Sequence, residues 1–164
     1  MRKRVNLSTY STVITVLSIV ILAGVLFVVF SDHESSLVAR IGVVVIVLLF
    51  CLSGLFYAPL AISIDDDALR VHRPLRSKVI PLTDIADVQL CKPTMAEHRL
   101  CGSGGFMGHW GRMHESVLGR YFAYYGKASD CFLVTLNDGR KYMLGCQDAP
   151  EMVAAIKKAI APRR

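Results

Sequence analysis

The sequence predicts a membrane-anchored α+β chain, in which a two-helix transmembrane hairpin precedes a small antiparallel β-sandwich or open barrel with a C-terminal α-helix. Two observations predict this class. Residues 13–30 and 41–58 are uncharged apolar runs, each 18 residues long. As an α-helix, such a run spans about 27 Å, close to the hydrocarbon thickness of a bilayer. After residue 58, short segments alternate between apolar and polar residues as strands do, until one amphipathic segment closes the chain.

The apolar runs divide the chain into two parts. We expect residues 1–58 to form the hairpin and residues 59–164 to form one head domain, because 106 residues suffice for a single domain of ordinary size. No cluster of Gly, Pro or charge cuts the runs into strand-sized pieces, and the first run exceeds the apolar core of a signal peptide. Neither run carries the charge that marks an ion path, which argues against a transporter or channel.

The distribution of Lys and Arg predicts the orientation of the hairpin. Basic residues precede the first run at Arg2–Arg4 and follow the second within residues 70–78. The connection Ser31–Arg40 carries Asp32 and Glu34 against one Arg. By the positive-inside rule, both termini and the head face the cytoplasm, which predicts a multi-pass protein of the inner membrane. In this reducing compartment the cysteines of the head are expected to be free thiols.

Turn residues and apolar alternation predict the elements of the head. Strands are expected on either side of the turn Asp65–Asp67, and a second hairpin turns at Asp138-Gly139. Pro81 indicates an edge strand or a strand end, since it cannot donate a ladder hydrogen bond. The last helix is predicted to begin with a capping box of Asp148 and Glu151. Its apolar stripe consists of Met152, Val153, Ile156 and Ile160.

The segment Gly102–Gly111 holds five glycines in ten residues and is the strongest candidate for a special role. Three interpretations are open. It is an irregular connection whose aromatic residues pack back on the sheet, an exposed apolar tip that contacts a partner or the membrane, or a phosphate-binding loop. The last lacks the Lys-Ser or Lys-Thr that follows a P-loop. The candidate contact residues are Phe106, Met107, Trp110, Gly104, Gly105, Arg99, Arg112 and Arg120.

Other site chemistries find little support in the sequence. His98 and Cys101 have a spacing known from zinc sites, but no second pair follows, so no metal or cofactor is expected. Ser103 does not lie in a nucleophile elbow, and we expect no catalytic residue and no small-molecule substrate. The head carries 15 Lys and Arg against 11 Asp and Glu, a net charge of +4. Because these charges are interspersed, nucleic-acid binding is not predicted.

Several short strings give the chain a resemblance to a known family. They are Tyr57-Ala58-Pro59, Ile80-Pro81-Leu82-Thr83-Asp84-Ile85, the segment Gly102–Gly111, Leu118-Gly119, Asp138-Gly139-Arg140-Lys141-Tyr142 and Asp148-Ala149-Pro150-Glu151. In this order, over about residues 57–161, they resemble the bacterial PH-like domains that follow a pair of transmembrane helices. The resemblance implies two nearly orthogonal antiparallel sheets of seven strands in all, closed by the C-terminal helix.

The resemblance also implies a function. Such domains are mostly binding and scaffolding modules. In eukaryotic relatives, basic residues between the first two strands bind phosphoinositides, but this chain has Asp65–Asp67 there, which argues against inositide binding. We therefore expect a non-enzymatic membrane protein that contacts a protein partner or self-associates as a scaffold. The alternative is a sensor or binder of anionic lipid surfaces.

Overall fold

The computed structural model describes residues 1–94 and 97–161, which form three α-helices and ten strands. The helices are α1 (Thr9–Ser31), α2 (Leu37–Tyr57) and α3 (Ala149–Ile160). The strands are β1 (Arg2–Arg4), β2 (Ala61–Ile64), β3 (Ala68–His72), β4 (Lys78–Pro81), β5 (Ile85–Leu90), β6 (His98–Gly105), β7 (Gly108–Glu115), β8 (Gly119–Tyr125), β9 (Cys131–Leu136) and β10 (Lys141–Gly145).

Helices α1 and α2 are long and apolar enough to cross a membrane. Both extend beyond the predicted runs at their amino ends, where Ser8 and Ser36 accept hydrogen bonds from Ser11 N and Ala39 N as N-caps. The rest of the chain leaves most of their apolar surface uncovered. Phe27, for example, is 73% exposed. Uncovered apolar surface of this extent is unlike a core helix of a soluble domain and suggests membrane association.

Strand β1 was not predicted, and it ties the amino terminus to the head. It pairs antiparallel with β2, and Val5 N donates to Leu60 O at 2.9 Å. The Lys3 ammonium forms ion pairs with Asp148 at 3.0 Å and with Glu151. Because β1 precedes α1 and β2 follows α2, the start of α1 and the end of α2 must lie on the same side of any membrane that the helices cross.

The head consists of two sheets and α3. The first sheet has the order β1-β2-β3-β4 and the second β5-β9-β10-β8-β7-β6. All neighbours are antiparallel except β10 and β8, which are parallel. The predicted class is confirmed, although ten strands replace the expected seven, because β1 is added and the glycine-rich segment forms two strands. The core between the sheets and α3 includes Ile62, Leu69, Phe132, Leu144, Met152 and Ile156.

The start of α3 differs from the prediction. Asp148 has a positive φ of 52° and makes no side-chain capping bond. Its carboxylate binds Lys3 instead, so the predicted capping box is wrong because β1 draws both acidic side chains away from the helix end. The predicted apolar stripe of α3 is confirmed as buried.

Glu97, the residue before β6, lies against the other face of the six-stranded sheet. Glu97 accepts hydrogen bonds from the Tyr121 hydroxyl at 2.5 Å and the Tyr125 hydroxyl at 2.7 Å. Burial and the Glu97 hydrogen bond raise the pKa of both tyrosines. The ring of Tyr125 also stacks on His109 at 4.7 Å, which places this face beside the start of α1.

Candidate functional site

The glycine-rich segment forms the β6–β7 hairpin, whose two strands approach closely because glycines face each other. Gly102 is paired with Gly111, and both have positive φ angles, 133° and 121°. A Cβ atom on Gly111 would lie 2.2 Å from Cys101 O, and one on Gly102 would lie 2.1 Å from Trp110 O. Glycine is required at both positions by space as well as by conformation. The interpretation of this segment as an irregular connection is wrong for its backbone, which forms paired strands, whereas the packing of its aromatic residues against the core agrees with the burial of Phe106 and Trp110.

The tip of this hairpin lies between the two apolar helices. Met107 N donates to the Thr15 hydroxyl at 2.8 Å. A Cβ atom on Gly54 of α2 would be 2.8 Å from both the Phe106 ring and the Met107 sulfur, so the tip fits against the bare backbone of α2. Phe106 also packs on Phe50 with ring centroids 4.5 Å apart. Since Thr15 is the seventh residue of α1, the tip reaches about 9 Å along that helix.

Trp110 links β7 to the end of α2. Its ring stacks on Tyr57 at 5.3 Å with an interplanar angle of 12°. The indole N–H donates to Phe106 O at 3.0 Å, and the residue is 7% exposed. Phe106 is 8% exposed and Met107 half-buried. The expectation of an exposed apolar tip is wrong for Phe106 and Trp110, because the chain's own helices cover them.

Replacing Thr15 by valine is expected to destabilise the docked hairpin by about 1–3 kcal/mol. Valine keeps the shape of the side chain but leaves the Met107 N–H without the acceptor that it has in the described structure. Thr12→Val is the matched control, because the Thr12 hydroxyl donates to Ser8 O within α1. Unfolding of the full chain in detergent, followed by the fluorescence of Trp110, should separate the variants. Equal stability of the two would contradict this role of Thr15.

A lateral groove of about 710 Å³ runs between β6 and the helices. Its apolar wall includes Ile14, Phe50 and Phe106, and Arg99 lies on its polar side. The guanidinium of Arg99 folds over Gly104: a Cβ atom there would be 2.6 Å from Nη1. The full lining is Tyr10, Ile14, Phe50, Ser53, Tyr57, Arg99, Cys101, Gly102, Ser103, Gly104, Gly105, Phe106 and Trp110.

The pKa of His109, in the β6–β7 hairpin, is affected by the charge of Arg99. Burial is the main cause that lowers the pKa of His109, which is paired with Gly104 across the hairpin. The Arg99 cation lowers the pKa of His109 further, while Glu97 opposes the shift. The neutral form of His109 is therefore favoured beside Tyr10, the residue of α1 on which its ring stacks at 6.5 Å.

A second depression, the basic pocket, measures about 630 Å³ and lies next to the groove on the same face of β7 and β8. Arg112 is opposite Phe122 and His114 is opposite Arg120, so the two arginines are diagonal neighbours about 7–8 Å apart at the backbone. Both are exposed, and neither forms an ion pair within residues 1–94 and 97–161.

Two more cations border the basic pocket. Arg140 is paired with Asp138 at 2.6 Å, and the Lys141 ammonium donates to Leu118 O at 2.8 Å. The pocket is lined by Leu100, Cys101, Arg112, Met113, Arg120, Tyr121, Phe122, Arg140, Lys141 and Tyr142. Sequence spacing gave no sign of Arg140 and Lys141 as neighbours of Arg112, because the parallel pairing of β10 with β8 brings them together.

The basic pocket begins close to the end of α2. Phe122, one of its lining residues, lies 6.2 Å from the Tyr57 ring, and Tyr57 is the last residue of that helix. Arg73 lies over Tyr57 at 5.8 Å and over Tyr124 at 5.5 Å. Burial raises the pKa of Tyr124 to about 12, although the Arg73 cation opposes the shift. Cations and aromatic rings thus gather at the level where α2 ends.

The comparisons with known proteins agree with this architecture. The family model described as Bacterial PH domain matches residues 60–160, which is more than half of the chain. The chain belongs to the bacterial PH domain family. No curated protein and no solved structure matches it. The predicted resemblance is confirmed, and this bacterial PH domain follows two apolar helices suited to a transmembrane hairpin.

The cations of this bacterial PH domain are not grouped at the turn between β2 and β3. That turn is acidic, and Asp65 pairs with Arg70 at 2.8 Å. Of the arginines singled out from the sequence, the structure brings Arg112 and Arg120 into the basic pocket and Arg99 into the groove. Within the described parts of the chain, no group of three or more His, Cys, Asp or Glu is arranged to hold a metal ion.

Proposed function

We propose that this bacterial PH domain is a non-enzymatic membrane module that binds anionic lipid headgroups in the basic pocket. The observation that carries the proposal is that Arg112 and Arg120, which form no ion pair in the described structure, line a pocket whose Phe122 lies 6.2 Å from Tyr57, the last residue of α2. Planar guanidinium groups suit phosphate oxygens, with which they form paired, charge-assisted hydrogen bonds. Next to a membrane surface each such cation contributes about 1 kcal/mol of attraction to anionic lipid.

The proposed orientation places the head at the cytoplasmic face of an inner membrane. The pairing of β1 with β2 supports a common side for both ends of the hairpin. The excess of Lys and Arg at these ends over the connection between the helices supports the cytoplasmic side. The same face of a bacterial membrane carries anionic headgroups, which matches the charge of the pocket.

A second candidate function is contact with a protein partner or with another copy of the chain. It rests on β6, which is an edge strand of the six-stranded sheet in the described structure. Leu100 on this strand is 55% exposed and Cys101 is exposed as well. An edge strand offers backbone groups to an added strand. The buried Phe106 and Trp110 do not contribute to such a surface in this arrangement.

The lipid proposal is tested with the full chain in nanodiscs of phosphatidylcholine, with or without added phosphatidylglycerol. We expect phosphatidylglycerol to raise the unfolding midpoint reported by Trp110 fluorescence, because binding to the folded state stabilises it. Arg112→Gln with Arg120→Gln should lower this lipid-dependent stabilisation by about 2 kcal/mol, and added salt should weaken it in the wild type.

The matched control is the pair Lys157→Gln and Lys158→Gln on α3, which removes the same charge from exposed positions outside the pocket. This control should keep the response to phosphatidylglycerol. An equal response of wild type and arginine variant would overturn the lipid proposal. If the wild type also ignored phosphatidylglycerol but sedimented as a dimer, the edge-strand candidate would take its place.

A further inference from the structure

The lateral groove differs from the basic pocket in where its walls lie. Phe50 is seven residues before the end of α2, so it lies about 10 Å from Tyr57 along the helix. Ile14 is five residues after the start of α1. If the helices span a bilayer, this wall lies below the headgroup level. The groove then opens sideways to acyl chains, which can contact Phe50, a side chain that packs on Phe106 and is still 38% exposed in the described structure.

The polar side of the groove carries one strong cation. Arg99 lies over Gly104 and forms no ion pair within the described residues. Arg99 is an exposed residue whose guanidinium has no counter-charge within the described part of the chain, so an anion can reach it at the mouth of the groove. A phosphate diester at the lipid headgroup level supplies that charge and matches the fork of the guanidinium.

We propose that the lateral groove holds one glycerophospholipid from the adjoining leaflet, with an acyl chain against Phe50 and Phe106 and the phosphate on Arg99. This site deepens the proposed function, on which it rests for the placement of the head at a membrane. Its volume of about 710 Å³ is within the range of ligand pockets, about 300–1,000 Å³. The two sites differ in what they bind: the basic pocket binds anionic headgroups at the membrane surface, whereas the groove binds one phospholipid with its acyl chain.

The experiment is native mass spectrometry of the full chain purified in mild detergent, with phosphatidylglycerol or phosphatidylethanolamine added. We expect one retained phospholipid on the wild type. Arg99→Gln should weaken retention about tenfold, the effect of losing one charge-assisted contact. Ser53→Trp should abolish it, because Ser53 lines the groove and the indole would occupy the chain site. Inorganic phosphate alone should neither bind as an adduct nor displace the lipid.

A second readout covers the case in which Ser53→Trp does not fold. Trp110 is the only tryptophan of the chain and lines the groove, so a phospholipid with brominated acyl chains should quench its fluorescence. Quenching should fall in Arg99→Gln and persist in Lys157→Gln, a charge-matched control at an exposed position of α3. Wild type without retained lipid, or Arg99→Gln with wild-type retention and quenching, would overturn the groove proposal. Displacement by inorganic phosphate alone would show a free-anion site instead.

The two proposals fail in different ways. If the nanodisc response were absent and lipid retention were intact, the proposal for the basic pocket would be overturned and the proposal for the groove would stand. If lipid retention were absent and the nanodisc response were intact, the proposal for the groove would be overturned and the proposal for the basic pocket would stand.

Discussion

Gly111→Ala is expected to destabilise the head by about 3–5 kcal/mol, since it combines backbone strain with overpacking. The new Cβ atom would lie 2.2 Å from Cys101 O and 2.7 Å from the Cα atom of Gly102. Neither neighbour is the movable end of a side chain, so the strands must separate. The φ angle of 121° is also one that alanine rarely adopts. A loss of this size is a large part of the stability of an ordinary domain.

The matched control for this prediction is Gly119→Ala. Gly119 also has a positive φ, 73°, but a Cβ atom there would meet no atom within 4 Å. Gly119→Ala should therefore lose only the stability that the positive φ angle costs alanine, about 1–2 kcal/mol. Chemical unfolding of the full chain in detergent, followed by Trp110 fluorescence, measures both. If the two variants lost equal stability, close approach of the strands would not be the reason for glycine at position 111.

The elements that could be predicted from the sequence are those in which apolar residues form a continuous run or recur at a regular spacing. The apolar runs predicted α1 and α2, and the alternation around Asp138-Gly139 predicted the β9–β10 hairpin, where Gly139 has the expected positive φ of 82°. The stripe that begins at Met152 predicted the buried face of α3. In each case the order of apolar and polar residues within the element indicates which face is buried.

The elements that escaped prediction are held by partners distant in the chain. Arg2–Arg4 has no apolar alternation, and it becomes a strand because β2 supplies its hydrogen bonds and the α3 carboxylates bind Lys3. Three of the eight residues of strand β6 are glycine, and the strand has little side-chain pattern of its own. For such segments tertiary pairing decides the structure, and local propensity carries little information.

The candidate site was predicted in part for the same reason. The sequence identified Arg99, Arg112 and Arg120 as neighbours of the glycine-rich segment, but it could not show that they divide between two depressions. The burial of Phe106 depends on the docking of the hairpin against α2, where Gly54 leaves room for it. A small residue in an apolar helix indicates a close contact, but not which segment makes it.

Trp110→Ala is expected to release the β6–β7 hairpin from the helices at a cost of about 3–5 kcal/mol. The indole is buried, stacks on Tyr57 and donates a hydrogen bond to Phe106 O, so alanine leaves a cavity and removes one of the two hydrogen bonds to that carbonyl, which keeps the bond from the Ser103 hydroxyl. The opening equilibrium of the hairpin should rise about 100-fold or more. Arg99 and Arg112 lie on the two strands, so trypsin should cut the opened hairpin faster.

The conservative variant Trp110→Phe tests whether the stack on Tyr57 is the main contribution. Phenylalanine retains an aromatic ring against Tyr57 and loses the indole N–H, so we expect a loss of about 1 kcal/mol and a small change in the rate of trypsin cleavage. Similar cleavage of Trp110→Ala and wild type would contradict the docked arrangement.

A double-mutant cycle with Tyr57→Leu then measures how strongly the end of α2 is coupled to the head. If Trp110 stabilises the junction through Tyr57, the losses in Trp110→Leu and Tyr57→Leu should not add, and the coupling should be about 0.5–1.5 kcal/mol for a stacked aromatic pair. Additive losses would mean that Trp110 acts within the head alone. Since Tyr57 also contacts Phe122 beside the basic pocket, a coupled result connects the helix end physically to the proposed lipid-binding surface.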